Sequence, residues 1–215
     1  MIRICVVCEG PTEVEFVNSC LAPYLLESQV LAFPTLLRAP SGNHRGGRVT
    51  VERLVKFISH QYHQADRITT LVDFYGFQDR AARSRAELEA NILSGVESTT
   101  TKCDPRFVLP YVQMHEFEGL LFSDPQAFEN ILDAWNDHRR NALESVAKAF
   151  ASPEDINNSR ETAPSKRIEQ IFEGAYSKTE HGPLIAESIG IEVIRAKCMA
   201  FSEWVGKLQA WGNAV

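Results

Sequence analysis

The sequence predicts an α/β fold: an open, mainly parallel sheet flanked by helices, with a helical C-terminal part. Three observations carry this. As far as Asp124, short apolar runs alternate with segments of helical apolar spacing, the pattern that builds crossover connections and parallel strands. Beyond Asp124 only helical spacing follows. Acidic residues also stand directly after three of the four extended runs. In an open parallel sheet those positions share one edge, where ligands bind.

Taken in order, Ile2–Cys8 reads as a buried strand, broken by Glu9-Gly10-Pro11-Thr12-Glu13. Thr12 suits a helix N-cap. Val14, Val17, Leu21 and Leu25 space out a helix over residues 13–28, in which Pro23 predicts a kink or an early stop. Val30–Ala39 is a second extended run, ending in the polar loop Pro40–Gly47. Val51, Leu54, Val55 and Ile58 mark a second helix. Ile68–Val72 is a third strand, left through Asp73-Phe74-Tyr75-Gly76-Phe77. Ala81–Leu93 is a charged helix, and Arg106–Met114 a fourth strand that runs straight into His115-Glu116-Phe117-Glu118. Pro125–Leu132, Arg139–Phe150, Ser165–Glu173, Pro183–Ile189 and Ala196–Trp211 all carry helical spacing, with Asp155–Pro164 as a polar connector. The expected organisation is an α/β domain over residues 1–124 and a helical subdomain over 125–215 packed on it.

With 44% hydrophobic and 23% charged residues, the 215-residue chain has the composition of a soluble globular protein. At this length a chain hides roughly 70% of its unfolded surface. No apolar run approaches the ~20 residues that span a bilayer. Met1–Cys8 is too short for a secretion signal and has no small-residue cleavage site, so a cytoplasmic protein without a membrane partner is expected. A net charge of −6 and a pI near 5.6 argue against binding nucleic acid by a basic footprint alone. They leave room for an enzyme that meets phosphate through bound cations, which reverse the sign of an acidic site. Cys5 and Cys8 have C-x-x-C spacing, but a strand points them to opposite faces, and Cys20, Cys103 and Cys198 are scattered. All five read as small core hydrophobes.

The chemistry is expected at the acids. Singly, an acid after a strand caps a helix or sits in a solvated loop. Glu9, Asp73 and the pair Glu116 and Glu118, all at the carboxyl ends of strands, read instead as one site. Carboxylates crowded at a half-buried edge repel one another unless a cation offsets them, and an all-oxygen set suits Mg²⁺ or Mn²⁺. Gly10 permits close backbone approach, and the helix after it turns its free N–H groups toward an anion such as phosphate. His115 reads as a ligand, a phosphate contact, a general acid or base, or simply a structural histidine. Phe117, Leu120 and Leu121 form a core stripe, which leaves His115, Glu116 and Glu118 toward solvent or a site. The loop with His44, Arg45 and Arg48 can grip a phosphate backbone or be merely solvated. Ser165, Lys166 and Arg167, at a helix start, can cap that helix or contact phosphate.

These stretches also carry a resemblance. Cys8-Glu9-Gly10-Pro11-Thr12-Glu13, Leu71-Val72-Asp73-Phe74-Tyr75-Gly76, His115-Glu116-Phe117-Glu118-Gly119-Leu120-Leu121-Phe122 and Ala163-Pro164-Ser165-Lys166-Arg167 resemble an uncharacterised bacterial family, DUF4276, over nearly the whole chain. Members of that family look toprim-like. The resemblance implies that Glu9 corresponds to the motif glutamate of topoisomerases, primases and overcoming-lysogenization-defect nucleases, and Asp73 to the first acid of their Asp-x-Asp pair. The second position here is Tyr75, so Glu116 or Glu118 is expected to supply the missing ligand. The resemblance further implies that the Ser165–Arg167 segment folds toward the site, that an ATPase is a partner, and that the setting is bacterial antiviral defence.

The leading expectation is metal-dependent phosphodiester hydrolysis on DNA or RNA. Glu9, Asp73, Glu116 and Glu118 would hold the metal, with Glu9 as ligand or general base and His115 in acid–base chemistry. Arg45, Lys166 and Arg167 would offset charge on the phosphate. The alternative is a non-catalytic subunit that binds metal or nucleotide and regulates an ATPase. The sequence also admits a homo-oligomer.

Overall fold

Strict alternation along the first strand sets up the two layers around the sheet. In β1 (Ile2–Cys8), Ile2, Ile4, Val6 and Cys8 enter one hydrophobic cluster, while Cys5 and Val7 enter the other. Cys5 and Cys8 thus lie on opposite faces, and all five cysteines are free and buried. This computed structural model describes residues 1–37, 49–99, 103–157 and 160–213.

The sheet is parallel throughout and runs β2 (Val30–Leu36), β1, β3 (Arg67–Asp73), β4 (Val108–Leu109), with β5 (Val112–Gln113) continuing beside β3. The fourth strand is therefore two short pieces rather than one run over Arg106–Met114. Pro110 has no N–H to give to the ladder and divides it. The first helical stretch is also divided. α1 (Pro11–Phe16) passes through a π-helical turn at Val17–Leu21 into α2 (Ala22–Leu26). The wide turn re-phases the backbone just before Pro23, which has no N–H to continue the α-helical pattern.

On the face of Cys5 and Val7 lie α3 (Val51–Gln61) and α4 (Arg85–Glu97). Thr50 caps α3 by accepting the Arg53 N–H at 3.2 Å. α4 starts four residues later than its apolar spacing suggests because Ser84 and Glu87 form a capping box. Ser84 Oγ accepts the Glu87 N–H at 3.3 Å, and Glu87 Oε2 accepts the Ser84 N–H at 2.7 Å.

The opposite face is covered by α1, α2 and the later helices α5 (Asp137–Lys148), α6 (Pro164–Phe172), α7 (Lys178–Ile189), α8 (Ile191–Lys197) and α9 (Met199–Asn213). Of the expected helices, Pro125–Leu132 contains only a 3-10 turn at Pro125–Phe128. The helix expected to begin at Pro183 begins at Lys178. The last helix is split at an extended Cys198. Ile4 and Val6 of the sheet share one core with Phe117, Phe128, Leu143, Phe172, Ile185 and Leu208. Trp204 fastens α9 to the sheet, donating Nε1–H to Thr69 Oγ1 at 2.8 Å and stacking on Tyr111 at 4.5 Å. The buried Glu154 accepts the Ala200 and Phe201 N–H groups at 2.9 and 3.0 Å, capping α9. Among the described residues, no helix is long and apolar enough to cross a membrane.

Candidate functional site

Parallel pairing of β1 with β3 sets Cys8 beside Leu71, so the residues that leave the two strands emerge side by side. The Glu9 N–H donates to the Leu71 carbonyl at 3.3 Å, and the Asp73 N–H donates to Glu9 Oε2 at 3.1 Å. Glu9 lies over Gly76, where an added Cβ would collide with both carboxylate oxygens. Here glycine is needed for close approach rather than for backbone conformation.

The segment after β5 completes the cluster. His115 stands in the left-handed region, φ 63°, a conformation uncommon outside glycine and found at turns and functional sites. The chain turns there into a 3-10 helix at Phe117–Ser123, and the Phe117 N–H donates to Asp73 Oδ1 at 2.9 Å. Glu116 Oε2 accepts the Ser165 N–H at 3.1 Å, which brings the start of α6 to the site. Glu118 is only 3% exposed. Lys178, first residue of α7, places Nζ 3.5 Å from Glu118 Oε1 and 3.7 Å from Glu116 Oε1.

A further carboxylate joins them. Glu13, 6% exposed, reaches back to the Gly10 N–H at 2.8 Å. Its charge raises the pKa of Asp73 and of Glu118, and Glu9 in turn raises that of Glu13. Five carboxyl groups therefore share one field. Burial pushes Glu9 up to about 6 from the ordinary 4.5, against the Asp73 N–H and Arg53, which pull it down. Burial, with Glu9 nearby, pushes Glu13 to about 7. Burial also raises Glu118 to about 7, despite Lys178. Asp73 is held well above the usual carboxylate range, first by burial and then by Glu13, Glu9, Glu118 and Glu116. Burial would lower the Lys178 ammonium, but Glu118, Glu116 and Asp73 outweigh it and hold it above its ordinary value.

The fold brings some of the expected residues together and sends others elsewhere. Glu9, Asp73, Glu116 and Glu118 converge, with Gly10 beside them. Glu118 is buried rather than turned to solvent. His115 is half-buried, its ring 5.4 Å from Tyr75 and its Nδ1 3.3 Å from Asn157 Nδ2, and burial lowers its pKa. Tyr75, at the second position of the expected acid pair, also packs under Arg80 at 5.0 Å. Ser165 reaches the site through its backbone. The cations of α6 are engaged elsewhere: Lys166 pairs with Glu169 at 2.6 Å, and Arg167 donates to the Thr162 carbonyl and covers the Phe150 ring. The ammonium against the carboxylates belongs to Lys178, not Lys166. His44, Arg45 and Arg48 lie outside the described residues.

Glu13 and Lys178 were not singled out from sequence. Glu13 carries a signal, since it closes the Glu-Gly-Pro-Thr-Glu stretch, but its spacing also reads as an ordinary helix cap. Nothing around Ser177-Lys178-Thr179 marks Lys178 before the chain is folded.

The donor chemistry fits a hard divalent cation: oxygen only, buried, and mutually repulsive. Two buried hydroxyls beside it, Ser165 Oγ and Tyr176 Oη, have no hydrogen-bond partner. Glu118 and Glu116 are the first charges that Tyr176 feels. Among the described residues, no three Asp, Glu, His or Cys side chains are already closed around one point. One oxygen each of Glu9 and Asp73 accepts a backbone N–H, and Lys178 stands between Glu116 and Glu118.

Comparison with known proteins gives one family match. The family described as "Domain of unknown function (DUF4276)" matches residues 8–209. No curated protein matches the sequence. Two solved structures of the C-terminal region of the Xanthomonas campestris pv. campestris OLD protein are similar. One, phased with iodine, has 15% identity and a TM-score of 0.43, covering 95% of this chain and 96% of that one. The other, phased with platinum, has 17% identity and a TM-score of 0.42, covering 96% and 95%.

Proposed function

Since this chain belongs to the DUF4276 family, for which the site itself must supply the function, we propose that it is a toprim-like, divalent-metal-dependent phosphodiesterase acting on nucleic acid. The observation that carries the reading is the gathering of Glu9, Glu13, Asp73, Glu116 and Glu118 in one buried field, where burial first and then the neighbouring carboxylates hold Asp73 well above the usual carboxylate range. Such a cluster is stable in its ionised form only with added positive charge. Glu9, Asp73, Glu116 and Glu118 would hold Mg²⁺ or Mn²⁺, with Glu13 beside them. The bound ion supplies Lewis acidity and a more acidic water.

The chain's own groups do the rest. Glu9, raised to about 6 by burial in the metal-free protein, serves either as a ligand or, off the metal, as the group that takes up a proton. The Asp73 N–H orients the Glu9 carboxylate, and the Phe117 N–H orients Asp73. His115, held neutral by burial, is available as a proton acceptor beside Glu116.

Asp73→Asn tests the reading. It keeps the side-chain shape and the acceptor for the Phe117 N–H but removes the charge. Mn²⁺ binding and cleavage of plasmid, single-stranded DNA or RNA are expected to fall at least about a hundred-fold, with the circular dichroism spectrum unchanged. Cleavage at the wild-type rate by the variant would end the proposal. Tyr75 favours a second reading, because its aromatic packing occupies the position of an acidic ligand. In that reading the chain is a metal- or nucleotide-binding partner of an ATPase, inert on all three substrates but binding the ATPase tightly. A bacterial defence role and a cytoplasmic location belong to either reading as proposals.

A further inference from the structure

Resting on the metal-site reading above, we propose that Lys178 is the pocket's internal counter-ion. Its ammonium holds the place of the divalent cation between Glu116 and Glu118, and lysine and metal exclude one another there.

Geometry carries this. Nζ lies 3.5 Å from Glu118 Oε1 and 3.7 Å from Glu116 Oε1. Both distances exceed the 2.7–3.2 Å of a made N–H···O bond. The ammonium is thus held by the field of two carboxylates rather than locked to either. Glu118 is 3% exposed, whereas the Lys178 side chain is 40% exposed. The acid must stay, but the ammonium can withdraw toward solvent along its flexible stem.

The helix that carries Lys178 is itself fixed. A Cβ at Gly182, one turn on, would lie 3.1 Å from Tyr176 Oη, 3.4 Å from Thr12 Cγ2 of α1 and 3.5 Å from the Phe117 ring. The start of α7 is thereby packed against both Glu13's helix and the segment of Glu116 and Glu118, so a change of occupant asks the exposed Lys178 side chain, rather than its helix, to move.

A divalent ion takes carboxylate oxygens at roughly 2.0–2.2 Å. On Glu116 or Glu118 that would set it within about 6 Å of the ammonium, where the two charges repel strongly in a low dielectric. Beside them, Ser165 Oγ and Tyr176 Oη are fully or almost fully buried polar atoms without a hydrogen-bond partner. A ligand shell around a metal would satisfy both. Lysine and metal are accordingly alternative occupants: the first keeps the acids together without metal, and the second displaces it.

The test uses the full chain and Mn²⁺ alone. Lys178→Met keeps the stem and removes the charge. It is expected to bind Mn²⁺ at least about ten-fold tighter by titration calorimetry. It should also melt lower than wild type in chelator, with the gap closing at saturating Mn²⁺. Unchanged or weaker Mn²⁺ binding, or a gap that survives saturation, would overturn the proposal. A wild-type measurement stands beside it in case the variant does not fold: labelling of Lys178 by an amine-reactive reagent, read by mass spectrometry, should increase when Mn²⁺ is added. Unchanged labelling would also overturn it. Asp73→Asn separates the two ideas. Wild-type binding that Asp73→Asn loses but Lys178→Met leaves unaltered removes only the lysine's role. No binding by wild type removes the metal site as well.

Discussion

Glu13 shows how stability and chemistry oppose each other at a single residue. Its carboxylate has a local task, accepting the Gly10 N–H, and adds negative charge against Asp73 and Glu118, with Glu9 close enough to raise its pKa in turn. Glu13→Gln keeps the carbonyl acceptor and removes the charge. The metal-free protein is therefore expected to gain about 1–2 kcal/mol near pH 8 in denaturant titration, while Mn²⁺ binds at least about ten-fold more weakly. A loss of stability with unchanged Mn²⁺ affinity would show the residue to be a plain helix cap. Cys8 and Glu9 were legible because they stand at a strand end that sequence alone marks. Glu118 was legible as a candidate but not in its burial. Helical spacing set it beside the core stripe of Phe117, Leu120 and Leu121, whereas the tighter 3-10 turn at Phe117–Ser123 draws it inward.

At the scale of elements, the packing of α3 on α4 depends on a residue that helix propensity alone would replace. Gly95 lies inside α4, where alanine is ordinarily better by about 1 kcal/mol. A Cβ there would lie 2.6 Å from Val55 Cγ2 of α3. Gly95→Ala is expected to gain nothing or to lose about 1–2 kcal/mol, and combining it with Val55→Ala should recover part of that loss. Chemical denaturation of the two single variants and the double variant measures the coupling, and additive effects would rule the contact out. The expected helix boundaries erred for similar reasons. Ser84-x-x-Glu87 overrode the apolar spacing at the start of α4, Pro110 divided the fourth strand, and Cys198 separated α8 from α9. Each is a backbone event that apolar periodicity does not register.

Across the molecule, the buried acids tie stability to pH. Glu118 and Glu13 titrate near 7 when folded, against the ordinary 4.5 of the unfolded chain. Between those values the folded protein holds more protons than the unfolded one, so stability falls as pH rises through the window and levels off above it. Metal-free protein is expected to lose about 2 kcal/mol between about pH 6 and about pH 8. Saturating Mn²⁺ should flatten the dependence, because the ion takes over the role of the protons. His115, lowered by burial, acts in the opposite direction below its ordinary 6.5, which places the clearest readout above that value. Stability that rises from pH 6 to pH 8 without metal would contradict the shared field of the cluster.

What the sequence by itself determined is the parallel α/β order and the placing of acids at strand ends. Strand alternation and turn chemistry are written locally, and a parallel sheet leaves only one edge for those ends. Tertiary structure alone decided which cation meets the acids and how deeply they are buried. Lys178 stands at the head of a helix more than a hundred residues from Asp73. Only the packing of α7, with Ile185 and Ala186 in the core and Gly182 close to Tyr176, Thr12 and Phe117, brings it to Glu116 and Glu118. Desolvation depends on the atoms that surround a carboxylate in space, and no local pattern of residues encodes those neighbours.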